Sequence, residues 1–268
     1  MTHALVFDSG VGGLSVVREL RALMPSIYLT YVADDEFRPY GDKSEAQLKA
    51  RLPGLLKTLV LAARPDCVVL ACNTASTAAL REIRAVLDVP VIGVVPAIKP
   101  AALNSKTKTI AVLGTPGTVQ RKYVDDLIKD HAQDCRVVLQ GTGKLVALAE
   151  DKLVGKFVDE ASIRAEITPM LSGKYGEQID TVVLACTHFP LLLDELKRAA
   201  PQGISWIDSG AAIARRTRVV LAEVKSEPAM DAPQTALLIG GDHNETRTQM
   251  FKRFGFDKTA ALPKHRSR

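Results

Sequence analysis

Aromatic residues are scarce: seven Phe, five Tyr and one Trp make up 5% of the 268 residues. A β-sandwich core leans on such side chains, so the shortage, with Ala, Leu and Val in their place, turns the reading toward α/β architecture. Cysteine is confined to Cys67, Cys72, Cys135 and Cys186, and no Cys-x-x-Cys pair occurs. That removes the thioredoxin-type redox motif and the disulfide-dense scaffold. Long apolar runs are missing, and nothing approaches the ~20 residues of a membrane span. The opening MTHALVFDSG lacks the cationic start and apolar core of a secretory leader. The expectation is a cytoplasmic protein with reduced thiols and no membrane partner.

A spread of positive charge is lacking too. The net charge is +5, but six basic residues after Phe251 (Lys252, Arg253, Lys258, Lys264, Arg266, Arg268) face only Asp257, so the tail carries the whole excess. Residues 1–250 balance, which argues against a broad nucleic-acid-binding face; a short basic tail is ordinarily solvated. At this length the chain has room for two modest domains.

What is present is a beat. Apolar runs at 4–7, 27–34, 67–71 and 91–95 read as strands, with helical patterns at 11–24, 44–63 and 73–87 between them. The beat restarts with strands at 109–114, 136–140, 181–185 and 204–208, and 235–241 is expected as the last strand before a closing helix. Continuous apolar strands between helices imply parallel strands covered on both faces. The restart near residue 96 implies duplication: VFDSGVGGLSVV (6–17) loosely matches VLGTPGTV (112–119), and LACNTAST (70–77) matches LACTHFPL (184–191). The predicted fold is therefore α/β, with two similar αβα domains related by pseudo-twofold symmetry and an active site in the cleft between them. The expected boundaries are 1–95 plus 208–268 for the first domain and 96–207 for the second.

The repeated strand-end cysteine carries the chemistry. Ligands of open α/β sheets sit outside the carboxyl ends of the strands, where Cys72 and Cys186 fall, each expected just ahead of a helix. A helix N-terminus favours the thiolate, so both thiols are expected to ionise readily. Two opposed acid/base groups suit inversion of a stereocentre: one takes a proton from carbon while the other returns one to the opposite face. The competing readings are plainer. A strand cysteine is often a small buried hydrophobe, which is the reading for Cys67 and Cys135. Cys186 and His188 are close enough to raise a metal, but no further ligand stands at zinc spacing from them. The glycines of GVGG (10–13) lack the full dinucleotide spacing.

The motifs FDSGVGGLSV (7–16), RPYGDKS (38–44), ACNTAS (71–76), GVVPAIKPA (93–101) and ACTHFPLL (185–192), with IDSGAAIA (207–214), occur in one order along the chain. In these the chain resembles the cofactor-independent aspartate/glutamate racemases, and bacterial glutamate racemase above all. The resemblance implies interconversion of L- and D-glutamate for peptidoglycan synthesis, without pyridoxal phosphate or metal. Carried over, Cys186 takes the α-proton of L-glutamate while Cys72 protonates the other face. Asp8 matches a carboxylate beside the first cysteine, although DSG before a helix is also a good N-cap. His188 matches the group assisting the second cysteine, and Glu150 an acidic position near the site. Ser9, Tyr40, Gly41, Asn73, Thr74, Thr187 and His188 match substrate-binding positions, with Asp8 among them, and Thr115 and Thr118 are candidates to line the second half. The acidic run Asp34, Asp35, Glu36 ahead of the Pro39–Gly41 turn exceeds the family pattern and bears on cleft electrostatics. A homodimer is the expected assembly, and a peptidoglycan-precursor activator is a partner the resemblance allows. The rival readings are an aspartate racemase or another racemase of the superfamily, a two-lobed amino-acid binder, and a regulator using its basic tail.

Overall fold

The computed structural model describes residues 2–224, 233–241 and 243–264, so Arg266 and Arg268 of the basic tail lie outside the described residues. The chain divides into a first unit, Met1–Val94 with Gly210–Arg268, and a second, Val95–Ser209. The first unit opens with β1 (His3–Asp8), α1 (Leu14–Leu23), β2 (Tyr28–Ala33), α2 (Glu45–Ala63), β3 (Cys67–Leu70), α3 (Asn73–Val86) and β4 (Val91–Gly93). The second unit holds α4 (Ile98–Asn104), β5 (Thr109–Gly114), α5 (Pro116–Val119), α6 (Lys122–His131), β6 (Arg136–Gly141), α7 (Lys144–Leu153), α8 (Glu160–Leu171), β7 (Thr181–Leu184), α9 (Leu193–Ala199) and β8 (Ser205–Ile207). The chain then returns to the first unit with α10 (Gly210–Glu223), β9 (Thr235–Ile239), α11 (Glu245–Arg253) and β10 (Lys258–Leu262).

Both sheets are parallel, as the apolar strands predict. Their orders are β10-β9-β2-β1-β3-β4 and β6-β5-β7-β8. Within each unit the first strand lies between the second and third, with the fourth beyond the third. The duplication read from sequence is thus a duplication of strand order, which the first unit extends by two strands on its β2 side. The expectation that 235–241 is the last strand needs correction: β10 follows α11 and pairs with β9 in parallel register, Lys258 to Thr235 through Leu262 to Ile239. Its sequence, KTAAL, is short of large β-formers because it is a half-exposed edge with little core to fill.

The central strands β1, β3, β5 and β7 are buried almost throughout, whereas the edge strand β6 is not. Leu5, Phe7 and Leu70 pack against Leu48, Leu52 and Leu56 of α2 and Ala75 and Ile83 of α3. In the second unit Ile110, Val112 and Val183 pack against Ile98 and Ala101 of α4 and Val124 of α6. Full burial of each large apolar side chain contributes about 1.5–3 kcal/mol. Ser44 starts α2 with a capping box, its hydroxyl accepting from Gln47 N–H while the Gln47 side chain accepts from Ser44 N–H.

The repeat reaches the foot of each sheet. Asp66, just before β3, accepts from His3 N–H at 2.7 Å, and Asp180, just before β7, accepts from Lys106 and Thr107 N–H at 2.7 and 2.9 Å. Each aspartate ties the third strand of its unit to the start of the first. The two ends of the second unit are joined as well, since the Ser209 hydroxyl donates to the Val95 carbonyl at 2.5 Å.

Candidate active site

In each sheet the chain leaves its first strand on one side for the second and returns on the other for the third. The crevice beyond the carboxyl ends of first and third strands is where such sheets take ligands. Cys72 stands two residues past the end of β3, and Cys186 two residues past the end of β7. Both thiols are buried.

In the first unit Cys72 is the extended N-cap of the fourteen-residue α3, and its carbonyl takes the first helical bond from Ser76 N–H. Its thiol lies 3.7 Å from the Ser9 hydroxyl. The free N–H groups and dipole of α3 favour negative charge at this point. Asp8 ends β1, fully buried, with one carboxylate oxygen accepting from Gly10 and Gly13 N–H at 3.2 and 3.1 Å. Asp8 is not the N-cap of α1, which is Gly13; its oxygen instead orders the glycine turn that leads into the helix. Gly13 permits a close approach, because a Cβ there would stand 2.9 Å from the Tyr31 hydroxyl and 3.0 Å from the Asp8 Cβ. Tyr31 in turn donates to the Gly10 carbonyl, at 2.9 Å. Asn73 and Thr74, in the first turn of α3, are buried, and Asn73 Oδ1 has no hydrogen-bond partner among the described residues.

The turn at Pro39–Gly41 rests on a buried ionic cluster. Arg51 of α2 donates from Nε and Nη2 to the two oxygens of Asp34, both at 2.7 Å, and from Nη2 to Glu36 at 2.7 Å. The Tyr40 hydroxyl donates to Asp34 at 2.5 Å, and its ring packs in the same apolar cluster as Cys72. Burial pushes the Tyr40 phenol well up, and the Asp34 charge adds to this. Tyr40 therefore has only its backbone, with that of Gly41, to offer a ligand. Asp35 pairs with Arg247 of α11 at 2.6 Å and Arg38 at 3.5 Å. The acidic run that departs from the family pattern is thus matched by arginines. Arg51 was invisible as a functional residue in the sequence; the available signal was a cation inside the Leu48–Leu52–Leu55 stripe of α2, just after an acidic run.

In the second unit the sequence-predicted residues form a line. Cys186 Sγ lies 3.8 Å from His188 Nδ1, and His188 Nε2 lies 3.5 Å from Glu150 Oε1 on α7. His188 is buried, and Thr187 beside it is buried as well. Thr115, at the end of β5, caps α5 by accepting from Thr118 N–H, and the two hydroxyls are 3.0 Å apart. One expectation fails here. No α-helix starts at Cys186: a 3-10 turn, Phe189–Leu192, follows, and α9 begins only at Leu193. Pro190 supplies the reason, since it lacks an N–H and disfavours α geometry at the residue before it. The helix-terminus argument holds for Cys72, while Cys186 has an imidazole instead.

Of the other thiols Cys67 fits the plain reading, whereas Cys135 is half-buried in the turn before β6 and does not. Cys67 stands at Cys-x4-Cys spacing from Cys72, but it lies inside β3, and burial pushes its thiol up to about 12. Among the described residues no group of three or more His, Cys, Asp and Glu side chains is arranged to hold a metal ion. No described helix is long and apolar enough to cross a membrane.

Against this geometry the comparisons are decisive. The profile of the Asp/Glu/Hydantoin racemase family matches residues 14–217. The chain belongs to this racemase family. Within it, the chain is 43% identical over 260 residues to the glutamate racemase of Pectobacterium carotovorum, covering 97% of this chain and 90% of that one. It is 46% identical over 223 residues to that of Shewanella sp. (strain MR-4), covering 83% and 80%. The crystal structure of Escherichia coli glutamate racemase with L-glutamate and the activator UDP-MurNAc-Ala superposes with a TM-score of 0.91 at 40% identity, over 98% of each chain. The fold of the two sheets is thus that of a racemase of this family.

Proposed function

We propose that this chain interconverts L- and D-glutamate by moving the α-proton between two thiols, without a cofactor. The observation that carries the reading is the pair of buried cysteines at one offset past the third strand of each sheet, in a chain of this family. The Cys186 thiolate takes the α-hydrogen of L-glutamate as a proton and becomes a thiol, leaving the electron pair on the α-carbon, delocalised into the carboxylate. The Cys72 thiol then protonates the opposite face and becomes the thiolate. From D-glutamate the roles reverse. Cysteine suits this work because its ordinary pKa of ~8.5 lies close enough to neutrality for local groups to set which thiol is ionised.

His188 holds and exchanges the proton at Cys186, with Glu150 orienting the imidazole and favouring its cationic form. Asp8 serves Cys72 in the same capacity while fixing the glycine turn. The substrate is held by Ser9, Asn73, Thr74 and Thr187 and by the backbone of Tyr40 and Gly41. Asn73 Oδ1, buried and without a hydrogen-bond partner among the described residues, supports the reading as an acceptor for the substrate ammonium. Further parts of the reading are a cytoplasmic location, supply of D-glutamate to peptidoglycan synthesis, a homodimeric assembly, and activation by a peptidoglycan precursor of the kind bound in the E. coli relative.

The test is circular dichroism of L-glutamate with the purified protein in deuterated water, followed by proton NMR at the α-carbon. Loss of optical activity with α-deuteration supports the reading. The same signal with aspartate alone moves the substrate and keeps the mechanism, and silence with both overturns it. Sedimentation equilibrium checks the dimer, and initial rates with UDP-MurNAc-Ala check the activator.

A further inference from the structure

The strength of the His188 position depends on a residue that the proposed mechanism does not use. Lys152 lies two residues after Glu150 on α7, in its last turn. Its Nζ donates to the Leu191 carbonyl at 2.9 Å and to Glu195 Oε2 of α9 at 2.7 Å. The Leu191 N–H, in the same residue, donates to the His188 carbonyl at 3.1 Å. An unbroken chain of contacts therefore runs from α7 through Lys152, into the 3-10 turn at Leu191, and back to His188. The side chains close the same circuit, since His188 faces Glu150 on α7. Two attachments, one through the backbone and one through the ring, fix the imidazole relative to the helix that carries its carboxylate.

The clamp is built as a positioning device. The Lys152 side chain is only 36% exposed and Glu195 13%, so the pair is partly withdrawn from solvent. Burial alone would raise the Glu195 carboxyl, yet it sits below its ordinary range because the Lys152 hydrogen bond, a backbone N–H of Glu195 and the Lys152 and Arg198 charges together outweigh that effect. Arg198 adds a second contact to Glu195, at 3.5 Å. A short 3-10 turn has weaker hydrogen-bond geometry than an α-helix, and a charged donor on its Leu191 carbonyl adds a fixed point.

We infer that Lys152 is a positioning residue for the Cys186–His188 pair, holding the 3-10 turn at the distance from α7 at which Glu150 meets the imidazole. The inference rests on the reading of His188 proposed above. It predicts that losing the ammonium loosens the imidazole and slows proton transfer at Cys186, with no direct loss of substrate contacts.

The experiment compares Lys152→Met, which keeps the length of the stem, with Lys152→Arg, which restores a donor, and with His188→Asn as the control. Turnover is measured in both directions. In parallel, the iodoacetamide alkylation rates of Cys72 and Cys186 are read separately by peptide mass spectrometry. Lys152→Met is expected to lower kcat roughly tenfold, the scale of a sub-ångström misplacement, while leaving KM for glutamate in place. Its alkylation rate should change at Cys186 and hold at Cys72, and Lys152→Arg should recover most of both. A general loss of structure would instead alter both thiols and expose Cys67, which overturns the positioning role. Parent-like kcat and alkylation in Lys152→Met also overturn it. If His188→Asn leaves Cys186 alkylation and turnover unchanged, the His188 reading itself fails. If His188→Asn changes them and Lys152→Met does not, only the clamp fails.

Discussion

The two sheets repeat one strand order, and each ends its third strand with a cysteine, yet the two thiols live in different surroundings. Cys72 caps a fourteen-residue helix and faces the hydroxyl of Ser9. Cys186 opens a proline-bearing 3-10 turn and faces an imidazole backed by a carboxylate. Duplication copied the place where chemistry happens and left its electrostatics free to diverge. In the first unit a thiolate is favoured by backbone dipoles, which do not titrate. In the second the thiol has beside it a side chain that does.

The largest expected effect removes the comparison altogether. Cys72→Ser and Cys186→Ser should each lower racemisation by about 10³-fold or more, because inversion needs both faces, as checked by polarimetry in both directions. Next comes Arg51→Met in the first unit. It leaves Asp34 buried and short of its charged partner, a loss of about 3–5 kcal/mol, to be read from urea unfolding. The third contrast separates the two thiol environments. His188→Asn should cost about 10²-fold in kcat, whereas Ser9→Ala, which removes a weak contact to sulfur together with a proposed substrate contact, should cost a few-fold in kcat and show otherwise in KM.

The smallest effect concerns the foot of the second sheet. Burial tends to raise the Asp180 carboxyl, but hydrogen bonds from the Ser105 side chain, the Thr107 N–H, the Thr181 side chain and the Lys106 N–H together more than offset this and bring it to about 2. Its folded value thus lies below the unfolded one, near 3.9, so its contribution is fully present above pH ~4 and is lost as pH falls toward 2. Solvent access keeps that contribution small. Asp180→Asn should flatten the acid limb of stability over that window, as followed by thermal melts from pH 5 to 2.

The same comparison explains what could be read ahead of the structure. The central strands were legible because burial on both faces demands unbroken apolar runs, and β10 was not, because an edge demands nothing of the kind. The repeat DCVVLAC (66–72) and DTVVLAC (180–186) includes the two aspartates at the foot of the sheets, and a longer alignment window would have caught them. Cys186 and His188 were legible together through their nearness in sequence. Glu150 was reached only through family resemblance, since an acid on a helix has no distinctive pattern. Arg51 and Lys152 were missed because their roles depend on partners that only folding brings near: Asp34 and Glu36 in one case, Leu191 and Glu195 in the other. Pattern rules see one element at a time, and these contacts join two.

The order of segments along the chain also sets an order in time, and the Ser209–Val95 hydrogen bond marks where the second unit closes. Every strand of the second unit has been made once residue 209 has been synthesised, so that unit can close on itself while the chain is still growing. The first unit, begun earlier, cannot. Its β2 must wait for Thr235–Ile239 to fill its open flank, with Thr30 finding Thr235 only after the whole second unit has been made. At translation rates of ~5–20 residues per second the delay is about 10–40 s. For that interval the nascent chain carries a bare parallel strand edge, the kind of surface that recruits chaperones or pairs with a neighbour. The unit that starts first finishes last.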